Sequence, residues 1–460
     1  MKLFKKIRKG FTLIELVVVI AVIAILSAVS VVSYVAITNK AKQSSDEQAV
    51  RQMNTILQAN DVMELKSIRD VLSAFAENGL DAENYKPLFK DRYFFWDQDA
   101  NRIIYVNKDY QVLYPESMKG QTKGADSHWL SLSGEIAKRD YSSEVTTTST
   151  TYTAAISGSA TEAGEKLYKM SEDVASGSLK LDNAAVATTI TLPAKVDLAG
   201  SEFNLGTAKN LTVSGDATTK TEIQNVLASE YQSKGKAENR KERSYAAGMV
   251  QSVEGEVKFE NLKISNVSIG EYGVSMTGIF AGQVVKGGHL VIENCEIEDA
   301  YIYGEQKVAT IVGYVDGNAS KVEIKNCTFK NVHIYAEEGV AGGLFGYKTA
   351  GSKFECDAGS ANSVKANVTC SLTKVSDRSY FTVPSTDLPT DYADGSAEVV
   401  STFEAYSNRV GETKNGKTRC KPSCATFGWI ATTDLYPSGA TYMVSYGLNP
   451  AHAAGLLPSA

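Results

Sequence analysis

The segment FENLKISNVSIG, residues 259–270, decides the fold, because two later segments of the chain are similar to it. IENCEI occupies residues 292–297 and IKNCTF occupies residues 324–329, and the three align without gaps. Looser copies lie upstream at 196–200 and 211–215. A fixed period of 32 to 33 residues between the aligned asparagines is typical of stacked structural repeats. Each of the three units then reaches a second apolar run that ends in glycine, at Gly282, Gly313 and Gly346.

Alternating apolar residues, a turn asparagine and a recurring glycine are expected of short parallel strands that stack on their equivalents. Equivalent side chains would lie about 4.8 Å apart, so Asn261, Asn294 and Asn326 would form a hydrogen-bonded ladder. The pattern resembles right-handed β-helix domains of bacterial surface proteins. It predicts an all-β parallel β-helix (solenoid) over residues 164–356. The alternative is a β-sandwich whose hairpins are similar by coincidence.

All six cysteines lie beyond residue 290. Cys295 and Cys327 share one repeat position, where stacked Cβ vectors run parallel, so buried thiols are predicted there rather than a bridge. The other four are the candidate disulfide cysteines, with three possible connectivities. Two of them, Cys420 and Cys424, form a C-x3-C pair that suggests a zinc site, but no histidine or second cysteine pair lies at ligand spacing. These four are Cys356, Cys370, Cys420 and Cys424.

A second informative stretch is GFTLIELVVVIAVIAILSAVSVVSYVAI at residues 10–37, an apolar run with one acid, Glu15. Five cations and no acid precede it, which predicts a cytoplasmic N-terminus. An acid at the centre of a bilayer costs roughly 2.5–3.5 kcal/mol, so Glu15 needs a partner. A cut after Gly10 would create a positively charged amine on Phe11, in the same chain and in every neighbouring copy.

KGFTLIE at residues 9–15 resembles the class III signal of type IV pilins and type II secretion pseudopilins. The resemblance implies cleavage between Gly10 and Phe11 by a prepilin peptidase, and N-methylation of Phe11. It implies that Glu15 acts in filament assembly by pairing with the Phe11 amine of an adjacent subunit. It also implies a membrane helix from Phe11 to Ile37. The alternative is an ordinary signal anchor, which needs neither this motif nor an acid.

Residues 11–60 contain no proline or glycine and predict one long helix, amphipathic in its second half. A short helix is predicted after Ser67, ending at Asn78-Gly79, followed by a β-meander. The fold class is therefore an α+β pilin-like N-terminus, with a long helix and a small antiparallel meander, followed by the β-helix. The predicted order is a leader at 1–10, the helix at 11–60, a pilin-like head at 61–118, a Ser/Thr-rich linker at 119–163, the β-helix at 164–356, and a β-rich region of undetermined arrangement at 357–460.

Two charged segments have competing interpretations. Asp97, Asp99 and Asn101 form a D-x-D-x-N run that suggests calcium, but the glycine and glutamate of an EF-type loop are missing. Turn chemistry explains these residues equally well. The basic stretch at 228–250 is either a contact loop or a solvated insertion between repeats, and we favour the insertion.

Composition excludes several functions. The 460-residue chain has a formal net charge of −6, and its leader is basic, so the remainder is more acidic still. An acidic body argues against nucleic-acid binding. The 22% of charged residues with 36 glycines and 23 tyrosines suits a β-rich exterior domain. None of the four histidines lies in a catalytic constellation, so we expect no enzyme activity, no metal and no cofactor.

The sequence thus predicts a minor type IV pilin-like subunit. Its partners would be other pilin subunits, the prepilin peptidase and the cytoplasmic membrane, which it crosses once before assembly with its body outside. After assembly it would lie in a cell-surface filament. Its exposed tyrosines would either bind a glycan or a surface protein or simply cover the edge of the solenoid. The alternatives are a secretion pseudopilin and a membrane-tethered β-helix that binds or cleaves polysaccharide. The tyrosines are Tyr272, Tyr301, Tyr303 and Tyr335.

Overall fold

The chain has an N-terminal helix followed by a large β-rich region that contains parallel sheets. Most of the basic stretch predicted at 228–250 lies outside the described residues. The computed structural model describes residues 13–59, 67–81, 84–228, 246–270, 274–304, 307–317, 319–336, 340–342 and 344–349, and short strands between residues 353 and 445.

Helix α1 spans Leu13–Ala59, which is 47 residues. At about 1.5 Å per residue, this is a rod of about 70 Å. In its second half, Val50, Met53 and Leu57 recur at helical spacing and are each no more than 1% exposed. The predicted amphipathic half is confirmed, and its apolar face covers a small sheet.

Helix α2, Ile68–Glu77, begins where the sequence predicts. Ser67 caps it by accepting a hydrogen bond from the Asp70 backbone N–H, while the Asp70 carboxylate accepts one from the Ser67 backbone N–H. This reciprocal capping satisfies two N–H groups that the helix itself cannot pair. The helix ends at Asn78, and Gly79 follows with a φ of +81°.

An antiparallel sheet lies against both helices, with strand order β3-β2-β1-β4. Strand β4 was not predicted, because it has only three residues and lies in the segment interpreted as a linker. Together, residues 38–59 of α1, α2 and this sheet form the head. Its strands are β1 (Arg92–Asp97), β2 (Arg102–Asn107), β3 (Val112–Tyr114) and β4 (Trp129–Ser131).

The rest of the predicted linker also contains regular structure. Strands β5 (Val145–Thr147) and β6 (Thr151–Ala155) form a hairpin, and β6 pairs in parallel with β7 (Ala187–Thr191). A threonine-rich segment can do this because β-branched residues favour extended strands. Helix α3 (Ala160–Ala175) follows, with Leu167 and Met170 fully buried. Two 3-10 turns occupy Glu116–Met118 and Ser142–Glu144.

The remaining strands, with β5 to β7 and α3, form the body. Most of them pair in parallel, and they belong to sheets of eight, thirteen and five strands, with one separate two-stranded hairpin. They are β8 (Lys195–Asp197), β9 (Thr207–Ser214), β10 (Thr221–Ala228), β11 (Ala246–Ala247), β12 (Val250–Glu260), β13 (Leu262–Ile269), β14 (Met276–Thr277), β15 (Ala281–Val284), β16 (His289–Glu293), β17 (Glu296–Gly304), β18 (Lys307–Ala309), β19 (Val312–Val315), β20 (Lys321–Lys325), β21 (Thr328–Ala336), β22 (Val340–Gly342), β23 (Phe345–Thr349), β24 (Lys353–Cys356), β25 (Lys365–Leu372), β26 (Thr382–Val383), β27 (Val399–Glu404), β28 (Thr413–Lys414), β29 (Lys417–Thr418), β30 (Ser423–Ala425), β31 (Gly428–Ala431) and β32 (Tyr442–Ser445).

Equivalent strands of successive repeats pair in parallel and in register. Ile264 of β13 lies opposite Ile297 of β17, which lies opposite Phe329 of β21. Strands β12, β16 and β20 pair in the same way. The register agrees with the gap-free alignment of the repeats, while the closure of these strands into a β-helix stays a prediction.

The asparagine ladder is present at the turns of these repeats. Asn294 Nδ2 donates to Asn261 Oδ1 at 2.8 Å, and Asn326 Nδ2 donates to Asn294 Oδ1 at 3.0 Å. All three have φ between 50° and 59°, a left-handed conformation that asparagine tolerates better than most residues. The ladder therefore explains why this residue type recurs.

The cysteines of the repeats are buried free thiols, as predicted. Cys295 Sγ lies 3.3 Å from the Glu293 carbonyl oxygen, and Cys327 Sγ lies 3.2 Å from that of Lys325. Burial raises the pKa of Cys295 well above its usual value. Of the four candidate disulfide cysteines, Cys420 and the side chains of Cys356, Cys370 and Cys424 lie outside the described residues.

Candidate functional site

In residues 13–37 of α1, which we call the apolar half, every side chain that the structure describes is exposed. Leu13 is 82% exposed, Ile14 72% and Ile37 70%. Single exposed apolar residues are normal, but a contiguous apolar surface marks a site of association. The other large exposed residues here are Leu16, Val17, Val18, Val19, Ile20, Val22, Ile23, Leu26, Tyr34 and Val35.

Glu15 is the one charged residue of the apolar half and lies in the first turn of α1. A carboxylate in this position is favoured by the positive end of the helix dipole, by about 0.3–1 kcal/mol. Its side chain is exposed. Gly10 and Phe11, the predicted cleavage and methylation residues, lie outside the described residues. The role assigned to these three residues stays a prediction.

Within the described part of the chain, no helix combines the length and the apolar character that crossing a membrane requires.

The other half of α1, residues 38–59, is fixed to the rest of the head by polar contacts. The Asp46 carboxylate accepts hydrogen bonds from Tyr105 Oη at 2.7 Å and from the Leu88 backbone N–H at 2.9 Å. Asn54 pairs with both backbone groups of Ile103, at 2.9 and 2.7 Å. Burial raises the pKa of Asp46 despite these bonds. Because the contacts come from two separate chain segments, strand β2 and the segment that contains Leu88, they fix the direction in which the apolar half leaves the head.

The tyrosines predicted to form one exposed binding face do not share an environment. Tyr303 is 4% exposed, so its assignment to that face is wrong. The Arg69 guanidinium lies over its ring, 4.3 Å from the centroid, and its hydroxyl is 3.1 Å from Ser67 Oγ. The start of α2 thus covers Tyr303, a long-range contact that alternation along the strand does not indicate.

Tyr301 retains a partly exposed position. Its ring stacks on His333 of the next repeat, with centroids 4.9 Å apart and planes 13° from parallel. Tyr272 and the Tyr335 side chain lie outside the described residues.

The residues of the candidate calcium run take part in turn contacts. Asp97 accepts a hydrogen bond from the Ala100 backbone N–H at 3.3 Å, and burial raises its pKa. The Asp99 carboxylate lies 2.8 Å from His128 Nδ1, and Asn101 Oδ1 accepts from Trp96 Nε1 at 3.2 Å. In the described ranges, no group of three or more His, Cys, Asp or Glu side chains could hold a metal ion.

Comparison with known proteins identifies the N-terminal region. Residues 5–31 match the family model described as the prokaryotic N-terminal methylation motif. Neither a curated protein nor a solved structure matches the chain. The motif supports a prepilin-like signal and suggests a membrane-anchored, pilin-type protein. It also implies processing by a prepilin peptidase and assembly with other pilin subunits, which makes the apolar half of α1 the candidate assembly site.

Proposed function

We propose that this protein is a minor subunit of a type IV pilus-like filament, and that it displays a parallel β-helix on the filament surface. The observation that carries the proposal is the apolar half of α1, an exposed apolar rod whose one charged group is Glu15. Before assembly, the rod lies in the cytoplasmic membrane. After assembly, equivalent helices of neighbouring subunits replace the lipid.

Charge complementarity then directs assembly. Cleavage after Gly10 exposes the amine of Phe11, and N-methylation of this amine in a separate step leaves it positively charged. Glu15 of one subunit pairs with the Phe11 amine of its neighbour. Neither charge is then left alone in an apolar environment, where an unpaired charge is costly. Burial of the surrounding apolar side chains adds about 25 cal/mol per Å².

The body serves display rather than assembly. Support for a β-helix comes from the in-register parallel pairing of equivalent repeat strands and from the asparagine ladder. A body of some 300 residues beyond the head obstructs close helical packing of many copies, so the subunit is incorporated sparsely or at the tip. The partly exposed Tyr301–His333 stack offers an aromatic platform for a glycan or a surface protein.

The test compares two single variants of α1, each of which replaces one glutamate with valine. Glu15→Val is expected to leave cleavage after Gly10 intact and to abolish incorporation into sheared filaments, because the Phe11 amine loses its partner. Glu47→Val is the matched control, since Glu47 lies on the same helix outside the apolar half. Normal incorporation of the Glu15→Val variant would refute the assembly role.

A deletion strain distinguishes the two machines that share the methylation motif. Loss of surface adhesion with normal enzyme secretion supports the pilus subunit. Loss of enzyme secretion with normal adhesion would assign the protein to a secretion pseudopilus and overturn the proposal.

A further inference from the structure

A buried lysine and a buried aspartate meet where the head joins the body. Lys123 lies between strands β3 and β4 of the head sheet, and Asp197 is the last residue of β8. Lys123 Nζ directly contacts Asp197 Oδ2, and the two side chains are 2% and 1% exposed. An ion pair this deeply buried is costly, because the loss of hydration of both ions offsets much of their attraction.

The second oxygen of the same carboxyl group is held by two donors. Asp197 Oδ1 accepts hydrogen bonds from the Ala199 backbone N–H and from Asn225 Nδ2, both at 2.8 Å. Asn225 is itself fully buried and accepts from Asn266 Nδ2 at 2.7 Å. Two fixed donors at this distance are the arrangement that stabilises an oxyanion formed on attack at a carbonyl carbon. Oδ1 is therefore the stabilised oxygen, and Oδ2, beside the amine, is the one that can leave.

The lysine is suited to act as a nucleophile. Burial lowers the pKa of Lys123 to about 7, and the nearby positive charge of Lys195 makes a smaller contribution to that lowering. Lys195 is itself paired with Asp126 at 2.6 Å and Glu222 at 3.5 Å, outside this contact. A desolvated lysine beside another cation holds a larger fraction of neutral amine, which is the reactive form.

We propose that Lys123 and Asp197 form an intramolecular amide bond that ties the head to the body. Proton transfer from Nζ to Oδ2 gives a neutral amine and a neutral carboxylic acid. The amine attacks Cγ of Asp197, the Nζ–Cγ bond forms, and negative charge develops on Oδ1 between the donors from Ala199 and Asn225. A second proton passes from Nζ to Oδ2, the Cγ–Oδ2 bond breaks, and Oδ2 leaves as water.

Formation of this amide bond needs no oxidant or cofactor. The bond is a property of the chain that the proposed function does not include. It closes a covalent loop between residues 123 and 197, alongside the hydrogen bonds that already join the two parts. Gln224 Nε2 donates to the Ala125 carbonyl at 2.9 Å, and the Ser131 backbone N–H donates to Ala199 at 2.9 Å. The head, which carries α1, is then joined to the displayed body by a covalent bond, which holds under a mechanical load that would separate non-covalent contacts.

The test is mass spectrometry of the full-length protein extracted in detergent. The intact chain is expected to be lighter by one water than its processed sequence. Trypsin should release a branched peptide that joins residues 120–138 to residues 196–209, because it does not cleave after an amide-linked lysine. Free peptides 124–138 and 196–209 from the native protein, together with the full sequence mass, would overturn the proposal.

Three variants locate the chemistry. Lys123→Arg keeps the positive charge without an amine that can react, and Asp197→Ala removes the carboxyl group, so both should show complete loss of the branched peptide. Asn225→Gly keeps a residue that adopts the φ of 58° found there but removes the side-chain donor. Its linked fraction should rise more slowly after synthesis than that of the native chain. Linkage at the native rate in this variant would exclude Asn225 from the reaction.

Discussion

The head and the body both contain β-sheets, but their cores are stabilised differently. The core of the head lies between two helices and an antiparallel sheet. It contains aromatic residues of the sheet that follow no repeat, such as Phe94, Trp96 and Tyr105. In the body, equivalent positions of successive repeats pack on one another, so Phe259 of one repeat lies against Ile292 of the next. A small core built from unlike residues depends on each of them, whereas a repeated core distributes its stability over many equivalent contacts.

The largest expected effect compares one substitution in both regions. Phe94→Ala and Phe259→Ala each remove a buried phenylalanine, 2% and 0% exposed, and each should cost about 3–5 kcal/mol. In the head, this loss is a large part of the total stability, so Phe94→Ala should unfold it. Phe259→Ala should leave the larger body folded with a lower unfolding temperature.

Two signals separate these outcomes in thermal unfolding. Tryptophan fluorescence reports mainly on the head through Trp96 and Trp129, and circular dichroism reports mainly on the strands of the body. Equal loss of both signals in both variants would show that the two regions unfold as one unit and would remove the distinction.

Glycine substitutions sharpen the comparison at the next level. A Cβ on Gly255 would lie 2.0 Å from the Lys209 carbonyl oxygen of the neighbouring strand, so Gly255→Ala should cost about 1–3 kcal/mol through forced backbone shifts. In the head, a Cβ on Gly79 meets nothing within 4 Å. Gly79→Ala should therefore cost only the left-handed strain of its φ of +81°, about 1–2 kcal/mol. Denaturant midpoints measure both, and a larger loss at Gly79 would contradict the assignment.

The asparagine ladder should have a smaller effect. Asn294→Ala removes two hydrogen bonds and places alanine at a φ of 55°, whereas Asn294→Gly removes only the bonds. The net value of each bond is about 0.5–1.5 kcal/mol. Alanine should thus be the more damaging of the two in urea unfolding. If glycine were harmless, the recurring asparagine would serve the backbone conformation alone.

The smallest expected effect depends on pH. Hydrogen bonds from Lys321 and Lys325 lower the pKa of Glu323 to about 2, from its usual 4.5, and His289 lies 3.4 Å away. A carboxylate with a lowered pKa stabilises the fold fully above about pH 4.5 and loses this contribution as the pH falls toward 2. Glu323→Gln should weaken the dependence of the unfolding temperature on pH in that window. Glu256→Gln, at an exposed position of the same sheet, is the control, and equal effects would contradict the pairing.

Local patterns predicted most elements of the head and the repeats. The capping residues at Ser67 and Asp70 fixed the start of α2, and aromatic alternation located strands β1 and β2. Strands β4, β5 and β6 were missed because a strand of three to five residues carries little alternation of its own and is defined by its partner strand. The prepilin-like signal followed from a local motif, and the family model that matches residues 5–31 supports it, while the role of Glu15 stays a prediction.

The sequence by itself determined the long helix, the single acidic residue in the apolar half of that helix, and the register of the repeats. These features depend on residues close in the chain or on a fixed period. Only the tertiary structure decided that Arg69 covers Tyr303 and that Lys123 meets Asp197. Those partners are separated by 234 and 74 residues and follow no periodicity. Such contacts arise from how the head docks on the body, and local pattern carries no information about that docking.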